Sequence, residues 1–157
     1  MTIKLLVIGK TVNNYFVEAE KEYLKRLSKY VKVDYQVIPE LKKAKNLSPK
    51  EIKRKEAELL LKNIQSTDTV VLLDEKGRHY TSVEMSVFMQ KKMNSGIKTL
   101  CFIVGGAYGF DEEIYKRCSS KLSLSKMTFS HQMIRTFLLE QVYRSFTILN
   151  NEPYHNE

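Results

Sequence analysis

The stretch LCFIVGGAYG, Leu100 to Gly109, decides the fold. Leu100 to Val104 run apolar without a polar break, as strands buried on both faces of a parallel sheet do. Gly105 and Gly106 then end the run with residues that let a backbone turn sharply or approach a ligand closely. Upstream, Thr81 and Glu84 form a capping box that predicts a helix to about Asn94, stopped near Gly96. Before it, Thr69 to Leu73 reads as a β-branched and leucine-rich strand ending at Asp74, followed by the turn EKGR. Ser48, Pro49 and Glu51 open another helix, through about Ile64, with proline at its first position. Further back lie a half-buried strand from Val31 to Val37 ended by Pro39, apolar residues at helical spacing from Tyr15 to Tyr30, and a buried strand from Ile3 to Ile8. Downstream, Asp111 is a candidate helix cap, Leu122 to Leu124 a short fifth strand, and Ser130 to about Asn150 the last helix. This alternation implies an α/β fold with a mostly parallel sheet covered by helices on both faces. Glu40 to Leu47 is expected to be a flexible linker.

With 157 residues, 43% hydrophobic and 28% charged, the chain is read as one domain, 1–157, and is no disordered or low-complexity polymer. No apolar run approaches the roughly 20 residues of a membrane span. The apolar stretch at the start gives way to polar residues from Lys10 to Asn14, which predicts a cytoplasmic protein without a signal peptide. Cys101 and Cys118 match no zinc or redox spacing and are read as reduced thiols. A net charge of +8 favours an anionic partner. One basic cluster, Lys42, Lys43, Lys45, Lys50, Lys53, Arg54 and Lys55, reads as a solvated helix face. The other, Lys116, Arg117, Lys121 and Lys126, contains no acid, and RNA phosphate contact stands there on equal terms with solvation.

Ligands of open parallel sheets bind beyond the carboxyl ends of strands. Three such ends carry unusual chemistry: Leu73 and Asp74 with Gly77 behind them, the Gly105–Gly106–Gly109 turn, and LSLSKMTFSHQ from Leu122. Four hydroxyls in that last run, on Ser123, Ser125, Thr128 and Ser130, can cap a helix or bond a ligand's polar edge. On the last helix His131 and Arg135 are spaced one turn apart, as are Glu140 and Arg144, the latter reading as an intrahelical ion pair. Tyr154 and His155 follow Pro153 in a tail whose default is fraying. His79 is read as a surface residue.

In this order, LD at Leu73 and Asp74, GGxxG, LSLSKMT, HQxxR, EQxYR and a terminal PYH, the chain resembles the RlmH family of the SPOUT class, which methylates N3 of a pseudouridine in 23S ribosomal RNA. The resemblance covers nearly the whole chain. It implies an α/β fold with a trefoil knot near the C-terminus and a homodimer with its active sites at the interface. It places S-adenosylmethionine against Leu73, Gly105, Leu124, Ser125, Lys126, Met127, Thr128 and Phe129, and lines the substrate side with His131, Arg135, Arg144, Tyr154 and His155. Neither a metal nor a membrane is implied. Ser145, Ser130, Asn156 and Glu157 depart from the family pattern, the last two standing where a basic residue commonly closes the chain.

The implied reaction is direct methyl transfer to the ring nitrogen. His155 or His131 would accept its proton, and Arg135 or Arg144 would steady the developing charge. The lack of a separate RNA-binding domain suggests a substrate recognised in the assembled ribosome. Two rivals remain at this stage. A non-catalytic ribosome- or RNA-binding protein would explain the charge, and a phosphate-binding hydrolase would explain the glycine turn but lacks a P-loop and an acid cluster.

Overall fold

The computed structural model describes residues 1–42 and 44–156. Lys43 of the first basic cluster and Glu157 of the tail lie outside the described residues. Strand and helix alternate as β1 (Thr2–Ile8), α1 (Asn14–Leu27), β2 (Lys32–Ile38), α2 (Pro49–Lys62), β3 (Thr69–His79), α3 (Ser82–Asn94), β4 (Thr99–Val104), α4 (Glu112–Arg117), β5 (Ser120–Ser123) and α5 (Met133–Leu149). All strands pair in parallel, in the order β2-β1-β4-β3-β5. The uninterrupted apolar run of β4 therefore sits at the centre of the sheet, buried along Leu100 to Val104.

Alternate side chains serve opposite faces. Leu5, Val7, Phe102 and Val104 pack with Leu27 of α1, Met89 of α3 and Leu138 and Val142 of α5. Leu6, Ile8, Cys101 and Ile103 pack with Ala57 and Leu60 of α2 and Ile114 of α4. Burial pushes the Cys101 thiol up to about 12, so it remains a protonated, inert core residue.

Both expected capping boxes form. Ser48 and Thr81 each accept from the backbone N–H three residues on, and Glu51 and Glu84 bond back to the cap N–H groups. The presumed linker is partly ordered, with a 3-10 turn at Ala44–Asn46. Strand β5 begins two residues earlier than expected. The last helix proper begins at Met133, with Ser130 Oγ accepting from the Met133 N–H at 3.2 Å.

The EKGR turn is the larger departure. Strand β3 lies beside β5 at Val71–Leu73, leaves the ladder, and returns so that Arg78 and His79 pair with Leu122 and Ser123. Gly77 crosses directly over β5: a Cβ there would lie 2.7 Å from the backbone nitrogens of both Leu122 and Ser123. No helix among the described residues is long and apolar enough to cross a membrane.

Because both sides of that crossing are backbone, no side chain can yield to an added methyl. Gly77→Ala should destabilise the protein by about 3 kcal/mol, at the upper end of overpacking costs, read as a lowered urea midpoint with unchanged slope.

Candidate active site

At the carboxyl edge of the sheet a cavity of about 420 Å³ opens between the ends of β3, β4 and β5. Leu73 and Asp74 form one wall, Gly105 and Gly106 the floor, and the loop from Leu124 to Ser130 the other wall, with His131 and Ile134 closing it. The three strand ends singled out from sequence thus meet in one place, and all eight residues expected at the methyl donor line it. A Cβ on Gly105 would meet the Phe110 ring at 2.9 Å, which explains glycine at that position.

Local hydrogen bonds give the 124–130 loop its shape. Ser123 Oγ donates to the Ser125 carbonyl at 2.9 Å, and Ser125 Oγ accepts from the Met127 N–H at 2.9 Å. With Ser130 Oγ accepting from the Met133 N–H, three of the four clustered hydroxyls hold the loop, and among the described residues only Thr128 of the four has no hydrogen-bond partner. Asp74 accepts from the Lys76 N–H at 2.8 Å and from the Tyr115 hydroxyl. Burial and that carboxylate both raise the Tyr115 phenol above its ordinary range.

Arg135 corrects the sequence reading. It does not line the cavity but has no exposed surface at all. Its guanidinium donates to the carbonyls of Ile8 at 2.6 Å and Gly9 at 2.9 Å, and to Thr11 Oγ1 at 3.0 Å. Thr11 in turn donates to Glu20, which accepts from the Tyr35 hydroxyl at 2.9 Å. Burial and the Glu20 carboxylate together push the Tyr35 phenol up to about 12. Nothing in the sequence around Arg135 announces this, because its partners lie more than 120 residues away.

Arg144, Tyr154 and His155 form a separate cluster. Arg144 donates twice to Glu140 Oε1, at 2.6 and 2.9 Å, and stacks over the Tyr154 ring at 4.6 Å. Tyr154 donates to the same carboxylate oxygen at 3.2 Å, and Arg144 Nη1 lies 3.3 Å from His155 Nδ1. The pair is therefore partly buried and embedded in a network, unlike an isolated surface i,i+4 pair, and Glu140 raises the Arg144 guanidinium further above its ordinary value. The tail is folded back: Glu152 N–H donates to the Thr147 carbonyl and its carboxylate accepts from Tyr30. A second cavity of about 410 Å³, with Glu140, Gln141 and Phe137 on one side, shares Leu122, Ser123, Leu124, Ser125 and Phe129 with the first. Neither cavity is lined by Arg144, Tyr154 or His155, so one chain brings only His131 of the five substrate-side candidates to the cavity wall.

Comparisons with known proteins identify the family. Residues 1–155 match the family model described as "Predicted SPOUT methyltransferase". A protein of Parabacteroides distasonis named ribosomal RNA large subunit methyltransferase H is 57% identical over 157 residues, covering 100% of both chains. Proteins of the same name from Christiangramia forsetii and Flavobacterium johnsoniae are each 55% identical, covering 99% and 100% of both chains respectively. The chain belongs to the RlmH family of SPOUT-class methyltransferases, enzymes whose methyl donor is S-adenosylmethionine.

Proposed function

We propose that this enzyme methylates N3 of a pseudouridine in 23S ribosomal RNA, on the assembled ribosome in the cytoplasm, as a homodimer of single-domain chains. The shared name of its relatives supports a large-subunit ribosomal RNA substrate. The observation that carries the reading is the division of the candidate residues: the donor cavity holds His131, while Arg144, Tyr154 and His155 stand apart as a preorganised cluster. Two chains facing each other would set the cluster of one beside the cavity of the other. The surface supports such pairing. It measures 9392 Å², against about 8,200 Å² expected for a monomer of 18.4 kDa. Phe137 on α5 is 39% exposed although it packs edge-on against Phe129. A non-catalytic RNA-binding role would leave the donor cavity without purpose.

S-adenosylmethionine, when bound, supplies a methyl group already activated on a sulfonium. The cavity fits it in size, within the range of about 300 to 1,000 Å³ for ligand sites. Leu73, Leu124, Phe129 and Ile134 provide apolar walls for a planar base, and Thr128 offers a hydroxyl to a polar edge. The chain's main contribution is alignment, for which proximity supplies about 7 to 11 kcal/mol. Arg144 has no acceptor, so its contact with His155 requires Nδ1 to accept and leaves the ring hydrogen on Nε2. That N–H suits a carbonyl oxygen of the target base gaining negative charge as N3 loses its proton. His131, on the cavity wall, is then the imidazole in position to take the proton. Arg135 acts beneath the site, not on the substrate.

Mass mapping of 23S RNA after incubating ribosomes with enzyme and labelled donor should find one added methyl on a pseudouridine; label on isolated RNA as efficient as on ribosomes would contradict the assembled substrate. His155→Ala should lower turnover by about 100- to 1,000-fold while calorimetric donor affinity stays constant. Mixed with a cavity-blocked Gly105→Trp variant, it should regain activity through heterodimers that keep one complete site. Arg135→Met should instead cost about 2–6 kcal/mol of folding stability in chemical denaturation, because it leaves the Ile8 and Gly9 carbonyls buried without their donor.

A further inference from the structure

The two basic clusters fare differently in the fold. Around α4 and β5 three of the four cations are engaged locally, while Lys126, on the cavity loop, is exposed and makes no ion pair among the described residues. Lys116 pairs with Glu113 at 2.5 Å, Arg117 donates to the Gln65 and Asp68 carbonyls at 2.6 and 3.0 Å, and Lys121 lies over the Tyr115 ring at 5.6 Å. Around the 3-10 turn and the start of α2 they are not. Lys42, Lys45 and Lys50 are exposed and Lys53 half-buried, and among the described residues none of the four makes an ion pair. The acids of the same segment are engaged otherwise: Glu51 by Ser48, Glu58 by Arg54 at 3.6 Å, and Glu56 is half-buried against Gly106, its carboxyl raised by burial and by Glu40. The expected solvated face of the first cluster is what the fold shows, and that leaves its ammonium groups free for an anionic partner.

Position adds to charge. Helix α2 runs away from the carboxyl edge of the sheet: the Asn63 carbonyl beyond its end accepts from Lys4, near the start of β1, at 2.6 Å. Its middle passes the cavity floor, since a Cβ on Gly106 would meet the Glu56 carboxylate at 2.7 Å. Lys50 lies six residues before Glu56, which at helical rise sets it about 9 Å further out along the axis, beyond the strand tips. Lys50 and Lys53, on the helix that passes the cavity floor, and Lys42 and Lys45, on the segment just before it, are taken together as one lysine shelf.

We propose that this shelf, Lys42, Lys45, Lys50 and Lys53, carries the sugar-phosphate backbone of RNA flanking the target nucleotide. The inference rests on the reading of the enzyme as an RNA methyltransferase. A base leaves its stack to enter a cavity, and its flanking phosphates then run along the rim, where closely spaced cations displace condensed counterions. Solvated ammonium groups contribute little to fold stability, so the shelf is available to RNA without structural cost.

The test compares the wild type with Lys45→Gln/Lys50→Gln/Lys53→Gln, and with Lys116→Gln/Lys121→Gln as control, on ribosomes and on 23S RNA. For the shelf variant the KM for ribosomes should rise about 10-fold or more with kcat and calorimetric donor affinity unchanged. The slope of log binding constant against log salt should become shallower by about two to three units. The control should keep the wild-type slope. A shelf variant with wild-type KM and slope overturns the proposal, and so does weakened binding with an unchanged slope, which would point to a ribosomal protein as the contact. If the wild type transfers no methyl to RNA, the substrate reading fails, while the salt slope of binding still decides whether the shelf touches phosphate.

Discussion

One buried guanidinium fixes where the last helix begins. Where β1 ends, the carbonyls of Ile8 and Gly9 turn inward with no strand to receive them, and Arg135 supplies the donors. An ion so placed costs several kcal/mol in desolvation unless its hydrogen bonds are met and a counter-charge is near. Thr11 adds a third acceptor and the 5% exposed Glu20 a carboxylate behind it, with Tyr35 completing the chain of contacts, while the Arg135 Nε–H has no partner among the described residues. Gln132 adds a second tie, its side-chain oxygen accepting from the Val12 and Asn13 N–H groups ahead of α1, which lacks a side-chain cap of its own. The loop wall of the cavity is thereby held at both ends, by β5 at Ser123 and by α5 at Arg135. A site that works by alignment needs that support, because a wall on an unanchored loop would not keep a reacting centre within a fraction of an ångström.

The same helix divides the chemistry. Its first turn adjoins the donor cavity, and its third and fourth carry Glu140 and Arg144, to which the tail is tied through Tyr154 and His155. One helical turn advances about 5.4 Å, so these groups stand well over a turn beyond His131 along the axis. On the proposed homodimeric reading this separation is the reason for pairing: the preorganised arginine and imidazole meet a base only when a second chain presents its cavity.

Much of this was legible in the sequence because it rests on local rules. The apolar run into Gly105 marked the central strand, the two capping boxes marked helix starts, and the strand-end loops gathered the cavity lining. What was missed depends on distant partners. The spacing of His131 and Arg135 suggested one helical face, yet His131 precedes the first helical residue and lines the cavity, while Arg135 is buried against the end of β1. The EKGR turn looked ordinary because only β5, more than 40 residues on, makes Gly77 obligatory. The tail looked idle because its anchors, Tyr23, Tyr30 and Glu140, lie far upstream or across a helix.

Charge shows the same limit with a functional edge. A net +8 counts every cation alike, but a guanidinium or ammonium offers its charge to a partner only where the fold has not already met its donors. Arg117, in the last turn of α4, is drawn onto carbonyls of the loop leading into β3, and Lys116 onto an acid one turn back. Arginine's fork favours such backbone engagement, whereas a lysine on a short turn or at a helix start, with its acids committed to caps or to packing, remains hydrated. Local acid content is therefore a poor guide to available charge. Three cations of the cluster without acids were engaged by carbonyls, an aromatic ring and a neighbouring turn, whereas in the cluster interleaved with glutamates only Arg54 found an acid, Glu58, and Lys42, Lys45 and Lys50 kept facing solvent.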